Sequence, residues 1–264
     1  MTSLAYKTDL VQVRHEGIVD NCEDYYVIRT PSRKNYFWGN YILIKKNEKS
    51  IDVRKWINIY KKEFSNNNPY FLTFGLDAKK VSNEIVIEFQ KHGFTLKKAE
   101  VLSCSSLKKP EVPKAEITFR EIINNEDWDG WVEVHMDESW QFSKETQYGF
   151  QLQHLENIKK LVMNNFMRRF GAYINNKMVG ELGIFSDLGI GRFNLVSTHQ
   201  DYRNLRICSN LIYYTGNKTF NENAASQLII VADDDYFAKN IYKKLGFEVV
   251  EEQIGFEWYE RNNS

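Results

Sequence analysis

Apolar positions along this chain change period repeatedly, and the changes mark out short elements. Residues 4–19 mix apolar and polar positions in a way that fits either a strand or a short helix. Residues 24–30 (DYYVIRT) and 36–44 (YFWGNYILI) are rich in β-branched and aromatic residues, and the PSRKN turn between them predicts a β-hairpin. Between 52 and 64, Val53, Trp56, Ile57 and Tyr60 recur at helical spacing behind Asp52, a candidate N-cap. Residues 69–77 read as a strand, 82–92 as a helix and 94–103 as a closing strand. The stretch 108–114 (KKPEVPK) then places two of the chain's four prolines among charged residues, which marks a domain boundary.

Beyond the boundary, 116–121 reads as a strand. Residues 125–137 read as a helix with Trp128, Trp131, Val132 and His135 on one side, and 146–162 as a second helix carrying Leu152, Leu155, Ile158 and Val162. Two strands, 166–174 and 178–185, flank an Asn175-Asn176-Lys177 turn, a hairpin signal. The run 227–232 (QLIIVA) is solidly apolar, as expected of a strand buried on both faces. A last helix and a last strand close this second domain, so the expected division is 1–110 and 115–264.

Two stretches of the second half carry candidate chemistry. Residues 195–211 (LVSTHQDYRNLRICSNL) read as an apolar strand end, a polar turn and an amphipathic helix with Ile207 and Leu211 one turn apart. A strand that stops and feeds a helix leaves unpaired N–H groups at the positive end of the helix dipole, suited to a phosphate. The ordinary alternative is a plain strand-to-helix connection. About thirty residues on, 235–247 (DYFAKNIYKKLGF) gives a short helix with Phe237, Ile241 and Leu245 on one face, ending in Gly246-Phe247.

In this order and at this distance the two stretches resemble the GNAT superfamily of acyl-CoA-dependent N-acyltransferases. Arg203 fills the first position of that family's acyl-CoA loop and Thr198 stands at its strand end. Ala238, Tyr242 and Gly246-Phe247 match its later helix. The departures are Gln200 for a proline, Arg206 and Cys208 for loop glycines, and Asp235 for an asparagine. The resemblance covers roughly residues 115–260. The two halves also echo each other: IEFQKHGF (87–94) matches NIYKKLGF (240–247) at an offset of 153, with Phe89 where Tyr242 stands. Together with WGNYILI (38–44), this resembles tandem GNAT proteins in which one copy is degenerate. The implied fold is α/β (α+β): two GNAT-like domains, each a twisted, mixed, mostly antiparallel sheet flanked by helices.

The resemblance implies an acetyl-CoA co-substrate and direct attack by an amine in a ternary complex. Pantetheine would pair with the backbone of Val196, Ser197 and Thr198. Pyrophosphate would lie on the N–H groups of Asn204, Leu205, Arg206, Ile207, Cys208 and Ser209 beside Arg203, with Asp235 and Ala238 lining the pantetheine. Tyr242 would protonate the leaving thiolate; its ordinary alternative is a tyrosine flanking an apolar stripe. Glu181 is a candidate base, direct or through water, against the alternative of an exposed strand glutamate. His199 is a further candidate proton shuttle, against an ordinary turn histidine.

Composition narrows the classes. The chain of 264 residues is 42% hydrophobic and 14% aromatic, ample for cores. It shows no membrane-length apolar run and no signal-peptide layout at its start. Three distant cysteines without CxxC spacing argue for a reducing cytoplasm and against structural zinc, and five scattered histidines supply no metal motif. Net charge is zero, but residues 1–112 hold 19 Lys and Arg against 13 Asp and Glu, while the remainder holds 16 against 22. That asymmetry suits an amine acceptor, small molecule or peptide, in the second half. No basic stripe points to nucleic acid, which also disfavours aminoacyl transfer from a charged tRNA. The chain is expected to be a monomer or homodimer. The competing class is a non-catalytic tandem module that binds acyl-CoA or a protein partner, its loop disabled by the glycine losses.

Overall fold

The computed structural model describes residues 1–45, 50–65, 70–136, 143–233 and 238–260. In chain order its helices and strands are α1 (Leu4–Glu16), β1 (Ile18–Asn21), β2 (Tyr25–Arg29), β3 (Tyr41–Ile44), α2 (Val53–Glu63), β4 (Phe71–Leu76), α3 (Asn83–Lys91), β5 (Thr95–Cys104) and β6 (Thr118–Glu121). There follow α4 (Trp131–Val134), α5 (Lys144–Met163), β7 (Arg168–Ile174), β8 (Lys177–Asp187), β9 (Ile190–Thr198), α6 (Ile207–Asn221), β10 (Gln227–Asp233), α7 (Lys239–Lys244) and β11 (Glu248–Tyr259). The fold class is mixed α+β, with mostly antiparallel strands flanked by helices. Two compact units emerge from the packing. One comprises Met1–Val101, Val231–Asp235 and Val249–Ser264; the other comprises Leu102–Ile230 and Tyr236–Glu248.

In the first unit β1, β2, β3, β4 and β11 lie in that order. Pairing is antiparallel except between β3 and β4. The linker composition places the break near residue 110, whereas packing assigns the last strand to the first unit, where Gly255 sits opposite Gly75. A strand's partner is a long-range choice that linker composition does not encode. The opening segment resolves as helix α1 for a similarly distant reason. The N–H groups of Thr2 and Ser3 donate to Asp77 at 2.7 Å each, and those of Leu4 and Ala5 to Glu251 at 2.9 and 2.8 Å. The donors that a helix start leaves orphaned are thus met by carboxylates some 75 and 247 residues away. Asp52, by contrast, caps α2 locally by accepting from the Lys55 N–H at 3.1 Å.

The hairpin of 24–44 forms with β2 antiparallel to β3, but its connection is longer than PSRKN. Residues 36–40 are not strand: 3-10 turns occupy Pro31–Arg33 and Phe37–Gly39. Buried Asn40 holds them by donating to the carbonyls of Arg33 and Tyr36 at 2.9 Å each and accepting from the Thr30 N–H at 3.2 Å. The core of this unit gathers Val27, Ile42, Trp56, Tyr60, Phe74, Phe89 and Phe256. Phe89 stacks on Phe256 with ring centroids 3.9 Å apart.

In the second unit the order is β10, β9, β8, β7, β6, antiparallel except for β10 against β9. The turn between β7 and β8 places Asn175 and Asn176 at φ of 50° and 63°, the left-handed pair a tight hairpin needs. The helix expected over 125–137 divides into a 3-10 turn at Asn125–Trp128 and the short α4, with Gly130 at φ +83° between them. The internal sequence echo also has a structural counterpart in each unit. Phe94 N–H donates to Phe89 O at 3.2 Å and Phe247 N–H to Tyr242 O at 3.1 Å, behind Gly93 and Gly246 at φ of 83° and 98°. Gly-Phe ends both helices with the same cap.

Candidate active site

The site is built on a strand that loses its neighbour. Parallel pairing of β10 with β9 runs from Gln227 opposite Ile190 to Ile229 opposite Arg192. On the other side of β9 the register with β8 shifts between Glu181 and Gly183, and Leu195 adopts φ 50°. A bulge of this kind bends a strand and re-aims its end. Past it, Val196, Ser197 and Thr198 border a cavity of about 870 Å³, within the range of sites for ligands of cofactor size.

The turn that follows is a 3-10 segment, Gln200–Tyr202, capped by His199, whose Nδ1 accepts from the Asp201 N–H at 3.3 Å. His199 therefore acts in its own turn. Asn204 and Arg206 take φ of 66° and 64° before α6 begins at Ile207. The first α6 backbone donor with a partner in the helix is Asn210, which bonds Arg206 O at 3.3 Å. The N–H groups of Ile207, Cys208 and Ser209 thus form the helix's open end. α6 reaches this position because Gly180 lies beneath it: a Cβ there would meet Ile207 Cγ2 at 2.8 Å.

Arg206, which stands where the resemblance expects a loop glycine, holds the left-handed geometry that favours glycine, at φ 64° and ψ 23°. Its guanidinium pairs with the Glu111 carboxylate and donates to Val112 O at 3.1 Å. The linker is pinned to the loop at two further points. Asn210 donates to Glu111 O at 3.0 Å and Lys114 N–H to Leu205 O at 3.3 Å.

The cavity wall brings together Val196, Ser197, Thr198, Arg203, Asn204, Arg206, Ile207, Cys208, Ser209, Ala238 and Tyr242. Leu205 lies outside that lining, and Asp235 and Phe237 lie outside the described residues. Among the described residues, five cations border the space (Lys109, Lys114, Arg203, Arg206 and Lys244) and one carboxylate, Glu111. The described wall of this cavity is thus basic although its half of the chain carries excess acid. Tyr242 is 3% exposed on the α7 wall. Burial pushes the Cys208 thiol up to about 12, so it is protonated near neutral pH and a poor nucleophile.

Glu181 is fully buried rather than exposed, and it is absent from the lining. Its carboxylate accepts from Arg169 Nε at 2.9 Å and also pairs with Arg169 Nη2. His135 Nε2 lies 2.5 Å from Glu181 Oε1. Burial would raise this carboxyl, but the Arg169 charge and His135 outweigh it and hold it below the ordinary glutamate value. Arg169 is itself fully buried, with Asn194 Oδ1 accepting from it at 3.2 Å. Gly183 makes room, since a Cβ there would stand 2.4 Å from Arg169 Nη1. His135 and Arg169 went unread in the sequence as site residues. Their positions, 46 and 12 residues from Glu181, form no local motif.

Among the described residues no group of three or more His, Cys, Asp or Glu could hold a metal ion, and no helix is long and apolar enough to cross a membrane. No family model and no curated protein match the chain. Solved structures do. A functionally unknown conserved protein from Staphylococcus epidermidis superposes with TM-score 0.72 at 16% identity, over 93% of this chain and 95% of that one. A GCN5-related N-acetyltransferase from Kribbella flavida superposes with TM-score 0.68 at 13% identity, over 97% and 96%. A tandem GNAT protein from the clavulanic acid biosynthesis pathway gives 0.57 at 11% identity, over 78% and 69%. The strand end, the turn into α6 and the closing helix therefore sit on a fold shared with GCN5-related N-acetyltransferases.

Proposed function

We propose that the second unit is an acyl-CoA-dependent N-acyltransferase, using acetyl-CoA and an amine acceptor. The observation that carries this reading is one cavity that joins a freed strand end, an open helix N-terminus, five cations and Tyr242. Pantetheine would pair with the backbone of Val196–Thr198, and a backbone N–H there would stabilise the developing oxyanion. The pyrophosphate would meet the first turn of α6 with Arg203 and Arg206 beside it. Tyr242 would protonate the departing thiolate. The first unit, with buried Phe89 in place of that hydroxyl, is proposed to lack an acyl-CoA site. Thiol release from acetyl-CoA in the presence of primary amines tests the activity; release no faster than without protein speaks against it.

Arg206 separates this reading from a non-catalytic module. Arg206→Ala is expected to weaken acetyl-CoA binding about tenfold, the worth of one charge-assisted bond, with added salt narrowing the difference. Arg206→Gly loses the charge but relieves the left-handed geometry, so its affinity should fall between the two while its melting temperature rises above that of Arg206→Ala. Isothermal titration and thermal melts check both. Equal affinity in all three proteins would remove Arg206 from the site.

A further inference from the structure

We propose that Ser197 and His135 form the proton-accepting pair of this site, with Glu181 and Arg169 as the residues that position it. The inference rests on the acyl-transfer reading and extends it to the base. Ser197 and His135 both border the cavity, and Ser197 Oγ lies 3.3 Å from His135 Nδ1. The opposite ring nitrogen, Nε2, faces Glu181 Oε1 at 2.5 Å. An ionised carboxylate only accepts, so Nε2 carries the hydrogen and Nδ1 offers its lone pair to the serine hydroxyl. The ring is fixed on its other sides. It stacks on Trp131 at 4.0 Å, and Gln151 Nε2 donates to its backbone carbonyl at 3.1 Å.

The charged and titratable groups around the ring define its task. Glu181 from β8 faces it directly and Arg169 from β7 stands behind Glu181, matching that charge. His154 from α5 lies beyond Trp131, with centroids 5.9 Å from the indole. Arg169 supplies the counter-charge to Glu181, and Glu181 holds the ring through Nε2 so that Nδ1 faces Ser197. As the amine nitrogen bonds to the thioester carbonyl carbon, its proton passes to Ser197 Oγ, whose own hydrogen moves to His135 Nδ1. The C–S bond then breaks, and the thiolate takes the Tyr242 proton. Solvent afterwards removes the proton from His135 and returns one to Tyr242, leaving amide and CoA thiol as the only products.

The test uses the full chain with acetyl-CoA and hydroxylamine, a nucleophile small enough for any acceptor space. Ser197→Ala is expected to lower kcat about tenfold, and His135→Gln about 10²-fold with loss of the acidic limb of the pH profile. Acetyl-CoA affinity should stay unchanged in both. Nitrogen-15 NMR of the histidine rings should show His135 protonated at Nε2 and bare at Nδ1 in the acetyl-CoA complex, and this arm needs no turnover. If His135→Gln melts early, Ser197→Ala and the ring spectrum decide. A proton on Nδ1, unaltered kcat in Ser197→Ala, or an acetyl group found on Ser197 by mass spectrometry would overturn the proposal. Failure of the wild type to bind acetyl-CoA would instead count against the acyl-transfer reading itself.

Discussion

Glu181→Ala is expected to destabilise the second unit by about 3–5 kcal/mol, because it leaves the Arg169 guanidinium buried without its counter-charge. Both side chains are fully buried, so water cannot take the carboxylate's place. The same pair gives stability a defined pH dependence. Arg169 and His135 overcome the effect of burial and hold the Glu181 carboxyl below its ordinary value of 4.5. A group depressed on folding stabilises the protein above its unfolded pKa, and that contribution disappears as pH falls through the folded one. Stability should therefore decline with acid below about 4.5, and Glu181→Gln should remove part of that decline. Urea midpoints at neutral and acid pH measure both effects. A near-neutral Glu181→Ala, or an acid limb identical in Glu181→Gln, would show that the pair does not hold the unit together.

If Tyr242 protonates the departing thiolate as proposed, Tyr242→Phe is expected to lower kcat by about 10²-fold while acetyl-CoA affinity stays nearly constant. Coenzyme thiols near pKa ~8.5 need only a weak acid, which a phenol near ~10 supplies. Tyr242 is buried on the cavity wall, and its backbone carbonyl accepts from Phe247 N–H, so Phe keeps the same helix end. Steady-state kinetics with titration calorimetry separate the two effects. Equal turnover would remove Tyr242 from the mechanism, whereas a parallel loss of affinity would make it a binding residue.

Those two residues show how differently parts of the site can be read from sequence. The Asn175-Asn176 turn, the Asp52 cap and the Gly-Phe helix ends are encoded within a few residues, and each appears where its chemistry requires it. The strand end and loop were legible for the same reason: the apolar period stops at Thr198 and a helical one starts at Ile207. What escaped is non-local. Helix α1 is held by Asp77 and Glu251, the last strand lies against β4, and Glu181 meets His135 and Arg169 only after three elements fold together. An expected helix over 125–137 also concealed that His135 follows the four-residue α4, which turns its ring toward β8 and β9. Arg206 illustrates another limit: spacing located the position, but only backbone geometry shows that it is left-handed.

The central claim is that the basic cavity of the second unit holds acyl-CoA, and isothermal titration of the full chain with acetyl-CoA tests it most directly. The account predicts saturable binding of one acetyl-CoA per chain, weakened by added salt and by Arg203→Ala, because cations surrounding the cavity meet the phosphates. Absence of binding to the wild type, with binding gained by Arg206→Gly, would contradict it: the loop would then be closed to pyrophosphate and only the fold would remain in common with acetyltransferases.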